Sequence, residues 1–154
     1  MKGTKFGNHS DTHAHVNNLN YEKNINEIRE CNNKIKALIN KETVLYRGPY
    51  GEYNDTVLKA AKSENNIMIQ WSIDTLDYND LTGDEMWKRI EEKLESGAII
   101  LTHSGTKNTA DSLEMIINNI KSKGYEIVPV SELIFKENYV IDSTGKQQRM
   151  DKKE

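Results

Sequence analysis

Segments that favour β-strands alternate along this chain with segments whose apolar residues repeat at helical spacing. Residues 20–39 place Ile25, Ile28 and Ile35 on one face of a helix. The apolar run over residues 67–73 is rich in β-forming residues and is typical of a buried strand. Strand–helix–strand repeats joined by short turns imply parallel strands, because parallel neighbours need a crossover and the helix supplies it. The alternation therefore predicts an α/β fold.

The remaining predicted elements complete this alternation and bring the strands to about five. Thr82 and Glu85 have capping-box spacing, and the helix that they open is expected to run to Gly97. Gly124 is a typical helix end. Two more helices are predicted: one that begins at Asn54 or Asp55, and one over residues 113–120. The other predicted strands cover residues 5–6, 44–46, 98–101 and 125–130.

Composition narrows the class of protein further. The chain has 154 residues and a net charge of -3, and we expect a domain over residues 1–134 with a polar, solvated tail over residues 135–154. The sequence has no basic stripe of the kind that binds nucleic acid. No apolar run approaches the ~20 residues of a membrane-spanning helix, and no signal peptide is recognisable. The single cysteine, Cys31, excludes an internal disulfide and is expected to be a small buried residue.

The chemically active side chains all follow predicted strands. In β/α barrels, catalytic groups lie at the carboxyl ends of the strands, where side chains from several strands converge. The placement therefore predicts one site, independently of any motif. The residues concerned are His9 and His13, Arg47, Asp74 and Asp77, and His103.

His9 and His13, four positions apart, are candidate metal ligands. Neutral imidazoles suit Zn²⁺, and a catalytic zinc keeps three protein ligands and one open position. The plain alternative is two surface histidines spaced by chance. A second alternative is the His-X-His motif of amidohydrolases and PHP-type phosphoesterases, which His13 and His15 resemble. Those sites need several further histidines and only His103 follows, so we expect His15 to be a loop residue or to support a ligand.

Four short motifs occur in order along the chain. They are His9-Ser10-Asp11-Thr12-His13, Arg47-Gly48-Pro49-Tyr50, Asp74-Thr75-Leu76-Asp77-Tyr78 and Leu101-Thr102-His103. This set resembles the conserved blocks of the polysaccharide deacetylases, the NodB-type carbohydrate esterases of family four, over about residues 2–134. The resemblance implies an incomplete irregular (β/α) barrel, with about five of seven strands present. It also implies an opening strand that ends in an Asp-Asp pair, and this sequence contains no such pair.

The resemblance also implies roles for individual residues. His9 and His13 would bind Zn²⁺ or another divalent cation, and the third ligand, an aspartate of the opening block, is missing from this chain. Arg47 would orient the catalytic base, which belongs to the same missing block. His103 would protonate the leaving amine, and Asp77 would tune it, because a carboxylate favours the protonated form of a neighbouring imidazole.

The remaining implied roles concern the substrate. The Tyr50 backbone N–H would stabilise the oxyanion, and Tyr78 and Leu101 would line the acetyl pocket. Two departures from the family pattern are visible. Gly48 stands where the family often has a second proline, which we expect to make the loop more flexible, and Tyr78 replaces the more usual tryptophan.

The implied reaction is metal-dependent hydrolysis of N-acetyl groups from an amino-sugar polymer of the chitin or peptidoglycan type. The resemblance places such an enzyme outside the cell or at its surface. Without the base and one metal ligand, we expect weak or no activity from this chain. One alternative is a non-catalytic carbohydrate-binding remnant that stacks sugar rings on Tyr50, Tyr78 and Trp71. Another is a truncated chain whose exposed sheet edge aggregates or pairs with another chain.

Overall fold

The computed structural model describes residues 5–143 and 146–150, and these residues form two compact units. The first unit contains the described residues up to 70 and those from 134 onward, and the second contains residues 71–133. Each unit combines short strands with helices, so the predicted α/β class is confirmed. The barrel and its number of strands stay predictions.

Most strands are only two residues long, whereas the helices reach 19 residues. In chain order, the helices and strands of the described residues are α1 (Tyr21–Ile39), β1 (Leu45–Tyr46), α2 (Asp55–Ser63), β2 (Ile67–Met68), β3 (Ile73–Asp74), α3 (Gly83–Glu91), β4 (Ile100–Leu101), α4 (Thr109–Ser122), α5 (Val130–Leu133), β5 (Tyr139–Ile141) and β6 (Gln147–Arg149).

In the first unit, β1 and β2 pair in parallel, as predicted, with Leu45 opposite Ile67. A single residue, Asn8, bridges to Tyr46 in the same direction, and no strand forms at residues 5–6. Helix α1 packs against α2, and the core between these elements is apolar. Its buried residues are Val16, Ile28, Tyr46, Val57, Ala60, Ala61 and Met68.

Side-chain caps set the beginnings of the two helices of this core. The Asn20 side chain accepts from the Lys23 N–H at 2.9 Å, and the Asn54 side chain accepts from the Val57 N–H at 3.0 Å. Asn54 is therefore the cap of α2 among the two predicted candidates. Leu38, in the last turn of α1, is 84% exposed, because the helix continues beyond the core that buries Ile28.

A β-hairpin lies where the sequence predicts a polar tail. Strands β5 and β6 pair antiparallel, and Ile141 packs against the core of the first unit. The Tyr53 hydroxyl donates to the Ser143 carbonyl at 2.8 Å. Residues 139–143 and 146–149 therefore belong to the first unit, although their composition is polar. The charged end predicted at residues 151–154 lies outside the described residues.

In the second unit, β3 and β4 pair in parallel, with Ile73 opposite Ile100. The predicted capping box is confirmed: the Thr82 N–H donates to Glu85 Oε2 at 2.7 Å, and the Glu85 N–H donates to Thr82 Oγ1 at 3.3 Å. Helices α3 and α4 pack together over the core of this unit. Its buried residues are Ile73, Met86, Ile90, Ile116 and Ile120.

Three further predicted elements differ from the structure, besides the strand at residues 5–6 that does not form. The single strand over residues 67–73 is wrong, because its two ends pair with different strands as β2 and β3. The strand over residues 125–130 is also wrong. Pro129 has no N–H to donate to a ladder, and the Glu132 N–H donates to its carbonyl at the start of α5. Helix α3 ends at Glu91 rather than near Gly97.

The described residues contain no helix of the length and apolarity that a bilayer crossing requires. The longest helix, α1, carries charged residues along its exposed side.

The buried hydroxyl of Tyr46 gives a prediction about stability. Tyr46 is fully buried, burial raises the pKa of its phenol, and its hydroxyl has no hydrogen-bond partner among the described residues. A buried polar atom without a partner is unfavourable, so Tyr46→Phe should raise the free energy of unfolding by about 1 kcal/mol. The matched variant Tyr53→Phe loses a real hydrogen bond and should lower it. Urea denaturation of both variants measures this difference, and a destabilised Tyr46→Phe protein would contradict the prediction.

Candidate functional site

The first unit brings His9, His13 and Tyr50 together, three of the predicted site residues. The centroids of the His9 and His13 rings are 5.1 Å apart at an interplanar angle of 74°. The His13 and Tyr50 rings are 4.8 Å apart at 71°. His9 follows the bridge at Asn8, and Tyr50 follows β1, so adjacent parallel segments carry these side chains to one edge.

The backbone of Arg47 fixes the orientation of the His9 ring. Nδ1 of His9 lies 2.7 Å from the Arg47 carbonyl oxygen. A carbonyl can only accept, so Nδ1 carries a proton, and in the neutral ring Nε2 keeps its lone pair. This is the tautomer that a metal-ligating histidine uses, with the second nitrogen held by an acceptor.

The histidine pair supplies two of the ligands that a zinc ion needs. Within residues 5–143 and 146–150, no three or more His, Cys, Asp or Glu side chains are arranged to hold a metal ion. Asp11 lies between the two histidines in sequence, but its Oδ1 is 2.5 Å from Lys34 Nζ. Cys31 is half-buried on α1, and burial raises the pKa of its thiol. The residues present therefore fit part of a zinc site, and the metal role of His9 and His13 stays a prediction.

The Arg47-Gly48-Pro49-Tyr50 segment forms a tight turn after β1. Arg47 is half-buried, and burial lowers its pKa. Residues Pro49–Gly51 form one turn of 3-10 helix, in which Tyr50 has a φ of 59° and its side chain is 60% exposed. A Cβ atom at Gly48 would lie 2.2 Å from the Glu52 carbonyl oxygen. Close backbone approach, rather than the expected flexibility, is therefore what requires glycine at this position.

His15 supports the turn from its outer side. Its ring stacks on Tyr50 with a centroid distance of 4.1 Å and an interplanar angle of 12°. Its Nδ1 lies 2.7 Å from Glu52 Oε1, and the Asn17 N–H donates to Glu52 Oε2 at 3.1 Å. The bond from His15 is the main cause of the lowered pKa of Glu52. His15 therefore lies in a loop, one of its two expected placements, and its support of a metal ligand stays a prediction.

The second unit joins Asp77 to His103. The two residues follow the neighbouring parallel strands β3 and β4. The His103 N–H donates to Asp77 Oδ2 at 2.6 Å, and His103 Nδ1 lies 2.7 Å from Asp77 Oδ1. The Thr109 hydroxyl donates to Oδ2 at 2.8 Å. Asp77 is thus a buried carboxylate that holds both the backbone and the ring of His103, with Nε2 directed away from it.

Hydrogen bonds keep Asp77 ionised. Burial by itself raises the pKa of this carboxyl, but the bonds from the backbone and ring of His103 and from Thr109 outweigh burial and lower it. An ionised carboxylate only accepts, so Nδ1 of His103 is the donor of their shared hydrogen bond.

Tyr78 completes the second cluster. Its ring meets the His103 ring edge-on, with centroids 5.3 Å apart, and its side chain is 52% exposed. Its hydroxyl donates to Asp74 Oδ2 at 3.3 Å. Leu101 is buried in β4, and Trp71 is half-buried. The acetyl-pocket roles of Tyr78 and Leu101 stay predictions.

Three residues that hold the loops of the site are not predicted from the sequence. Glu27 on α1, Glu52 after the tight turn and Thr109 at the start of α4 each bond a loop that carries a predicted site residue. Glu27 and Thr109 lie outside every motif, and Glu52 lies just beyond one. Each partner is at least 15 positions away, so local sequence carries no signal for these bonds.

The polysaccharide deacetylase family model matches residues 1–67. A peptidoglycan-N-acetylglucosamine deacetylase of Bacillus cereus is 30% identical over 138 residues, which cover 86% of this chain and 64% of that protein. The uncharacterized protein YlxY of Bacillus subtilis is 30% identical over 132 residues, which cover 86% of this chain and 41% of that protein.

Solved structures give the same family. A CE4 family pseudoenzyme from Bacillus anthracis is similar with a TM-score of 0.80 and 30% identity, over 84% of this chain and 46% of that chain. A mutant of that pseudoenzyme with restored enzymatic activity matches with a TM-score of 0.80 and 31% identity, over 84% of this chain and 47% of that chain. The protein therefore belongs to the polysaccharide deacetylase family. It spans less than two thirds of the length of each relative described above.

The close approach at Gly48 predicts that a side chain there disrupts the turn. Gly48→Ala forces the Glu52 backbone to move, which should lower the free energy of unfolding by about 1–3 kcal/mol. Gly7→Ala is the matched control, because a Cβ at Gly7 meets its nearest atom at an ordinary 3.4 Å. Thermal unfolding compares the two variants. Equal stability would show that space at Gly48 does not constrain the turn.

The Asp77 carboxylate predicts a loss of stability in acid. Its pKa is lowered in the folded state, so its stabilising contribution is complete above the ordinary aspartate pKa of about 3.9 and is lost as pH falls through the lower folded value. Asp77→Asn should weaken this pH dependence and lower the free energy of unfolding by about 1–3 kcal/mol at neutral pH. Unfolding curves between acid and neutral pH measure both effects. Asp80→Asn, at an exposed position, is the control and should keep the wild-type profile.

Proposed function

We propose that this protein acts in the metal-dependent removal of N-acetyl groups from an amino-sugar polymer, by hydrolysis of a linear amide C–N bond. The observation that carries the proposal is the Asp77–His103 pair, in which both Nδ1 and the backbone N–H of the histidine are held. The names of relatives that are peptidoglycan deacetylases support a peptidoglycan-type substrate and a place at the cell surface or outside the cell. A chitin-type polymer is the other substrate of the same chemistry.

His103 is the proposed general acid. With Nδ1 donating to Asp77, Nε2 is the atom that delivers a proton to the leaving amine nitrogen. Asp77 holds the ring with Nδ1 as its donor, which leaves Nε2 as the atom that carries the transferred proton. Thr109 completes the hydrogen bonding of the carboxylate and so keeps it an acceptor.

His9 and His13 are the proposed ligands of Zn²⁺ or another divalent cation. When bound, such a cation polarises the amide carbonyl and acidifies water. The Arg47 carbonyl orients His9, and the Tyr50 N–H is the proposed donor to the developing oxyanion. The guanidinium of Arg47 is proposed to orient the catalytic base, and Tyr78 and Leu101 to line the acetyl pocket.

We further propose that catalysis by this chain alone is weak or absent. The described residues supply two histidine ligands without a third ligand beside them, and a catalytic zinc keeps three protein ligands. Similarity to a CE4 family pseudoenzyme, and to its mutant with restored enzymatic activity, supports a state in which the family's site is incomplete.

Acetate release from N-acetylated peptidoglycan and chito-oligosaccharide, with Zn²⁺ added, tests the proposal. His103→Ala should reduce any turnover by about 10²–10⁴-fold, the usual contribution of a general acid. Lys121→Ala, at an exposed position on α4, is the matched control and should retain wild-type turnover. Unchanged turnover in His103→Ala would refute the acid role. Zinc titration adds a measure where turnover is too low, and tight stoichiometric binding lost in His9→Ala would show that the metal site is complete.

A second candidate function is carbohydrate binding without catalysis. The observation that favours it is the exposure of the Tyr50 and Tyr78 rings, since sugar rings stack their apolar faces on aromatic side chains. Saturable binding of chito-oligosaccharide that needs no metal and releases no acetate would support this function. Loss of that binding in Tyr78→Ala, with Tyr125→Ala as the control on a half-buried ring, would assign the surface.

A further inference from the structure

The loop that carries the two histidines has an unfavourable backbone conformation. Ser10 has a φ of 71° and His13 a φ of 58°, in the left-handed region that non-glycine residues rarely adopt. Such residues cost of order 1–3 kcal/mol each and persist only where surrounding contacts hold them. A specific anchor is therefore required between His9 and His13.

Glu27 on α1 supplies that anchor. Its Oε2 accepts from the Ser10 hydroxyl at 2.5 Å, from the Asp11 N–H at 3.1 Å and from the Thr12 N–H at 2.9 Å. Its Oε1 accepts from the Thr12 hydroxyl at 2.9 Å. These donors belong to the three consecutive residues between the histidines, and one carboxylate binds them all.

The chemistry of Glu27 fits a positioning role. Burial by itself raises the pKa of this carboxyl, but the bonds from Ser10, Thr12 and Asp11 outweigh burial and lower it. Both oxygens already accept hydrogen bonds from the loop, so neither is available to bind a metal or to act as a base. Its neighbour Ile28 is fully buried in the core, which gives the anchor a rigid platform.

Asn8 ties the same loop to α1 from its other end. Its Oδ1 accepts from the Ser10 N–H at 2.9 Å, and its Nδ2 donates to the Ile28 carbonyl and to Asn32 Oδ1, each at 2.7 Å. Asn8 thus fixes where the loop leaves the bridge, while Glu27 fixes the path between the histidines.

We propose that Glu27 is the positioning residue of the His9–His13 pair, acting through the loop to hold the two rings in a geometry that can share a cation. The cation part of this role rests on the proposed function above. The holding of the loop and the rings does not depend on it.

Glu27→Gln tests the proposal, with Glu30→Gln on the same helix as the matched control of equal charge change. An amide has only one acceptor oxygen, so the substituted side chain places an NH₂ group against the donors of the loop. Exchange of the Asp11 and Thr12 amides should accelerate at least about tenfold, as expected for lost hydrogen bonds worth about 1.4 kcal/mol or more. The nuclear Overhauser effect between the His9 and His13 rings should weaken. Ser10→Ala, which removes a single bond, is a milder variant in case Glu27→Gln does not fold.

Zinc titration is the readout that a merely structural role would not change. Zinc affinity should fall about 10–100-fold in Glu27→Gln, the usual effect of losing a residue that orients metal ligands, and should be unchanged in Glu30→Gln. An unchanged ring-to-ring Overhauser effect, or unchanged zinc affinity despite faster amide exchange, would overturn the positioning role. Zinc binding that survives His9→Ala would instead overturn the proposed function, and the metal-free measurements would still decide the role of Glu27.

Discussion

Three of the four histidines of the chain donate a hydrogen bond from Nδ1 to an oxygen fixed elsewhere in the same unit. His9 uses the Arg47 carbonyl, His15 uses Glu52 and His103 uses Asp77. Each bond selects one tautomer and one ring orientation, and leaves Nε2 as the nitrogen that faces away from the anchoring oxygen. The chemistry proposed for both units depends on this arrangement, because an imidazole that rotates freely can neither bind a cation firmly nor deliver a proton along one path.

Polar anchors matter here because the strands are so short. A two-residue strand contributes few ladder bonds, and the loops that follow it gain little order from the sheet. Glu27, Glu52 and Asp77 provide that order by accepting several hydrogen bonds each, and a carboxylate is well suited to this because it accepts at both oxygens. The fold thus holds the loops that carry the candidate site residues mainly through side chains.

The sequence predicts the elements whose signals are local. Helix α1, the capping box at Thr82 and the motif histidines are all readable from neighbouring residues. The break between β2 and β3 is not readable, because one apolar run supplies strands for two separate pairings. The hairpin of β5 and β6 is hidden by its polar composition. The anchors Glu27 and Thr109 act over long sequence separations, and the need for glycine at position 48 arises from a carbonyl four residues later.

Strands β5 and β6 make the first unit discontinuous in sequence, because residues 71–133 of the second unit lie between them and the rest of the first unit. During synthesis, residues 71–133 emerge as one uninterrupted segment, and domains generally fold as units in the order of synthesis. The unit that begins earlier cannot bury its core against Ile141 until the chain has been translated past the hairpin. The first unit therefore begins earlier in the chain but needs a later residue, Ile141, to complete its core, whereas all residues of the second unit are present once residue 133 has been translated.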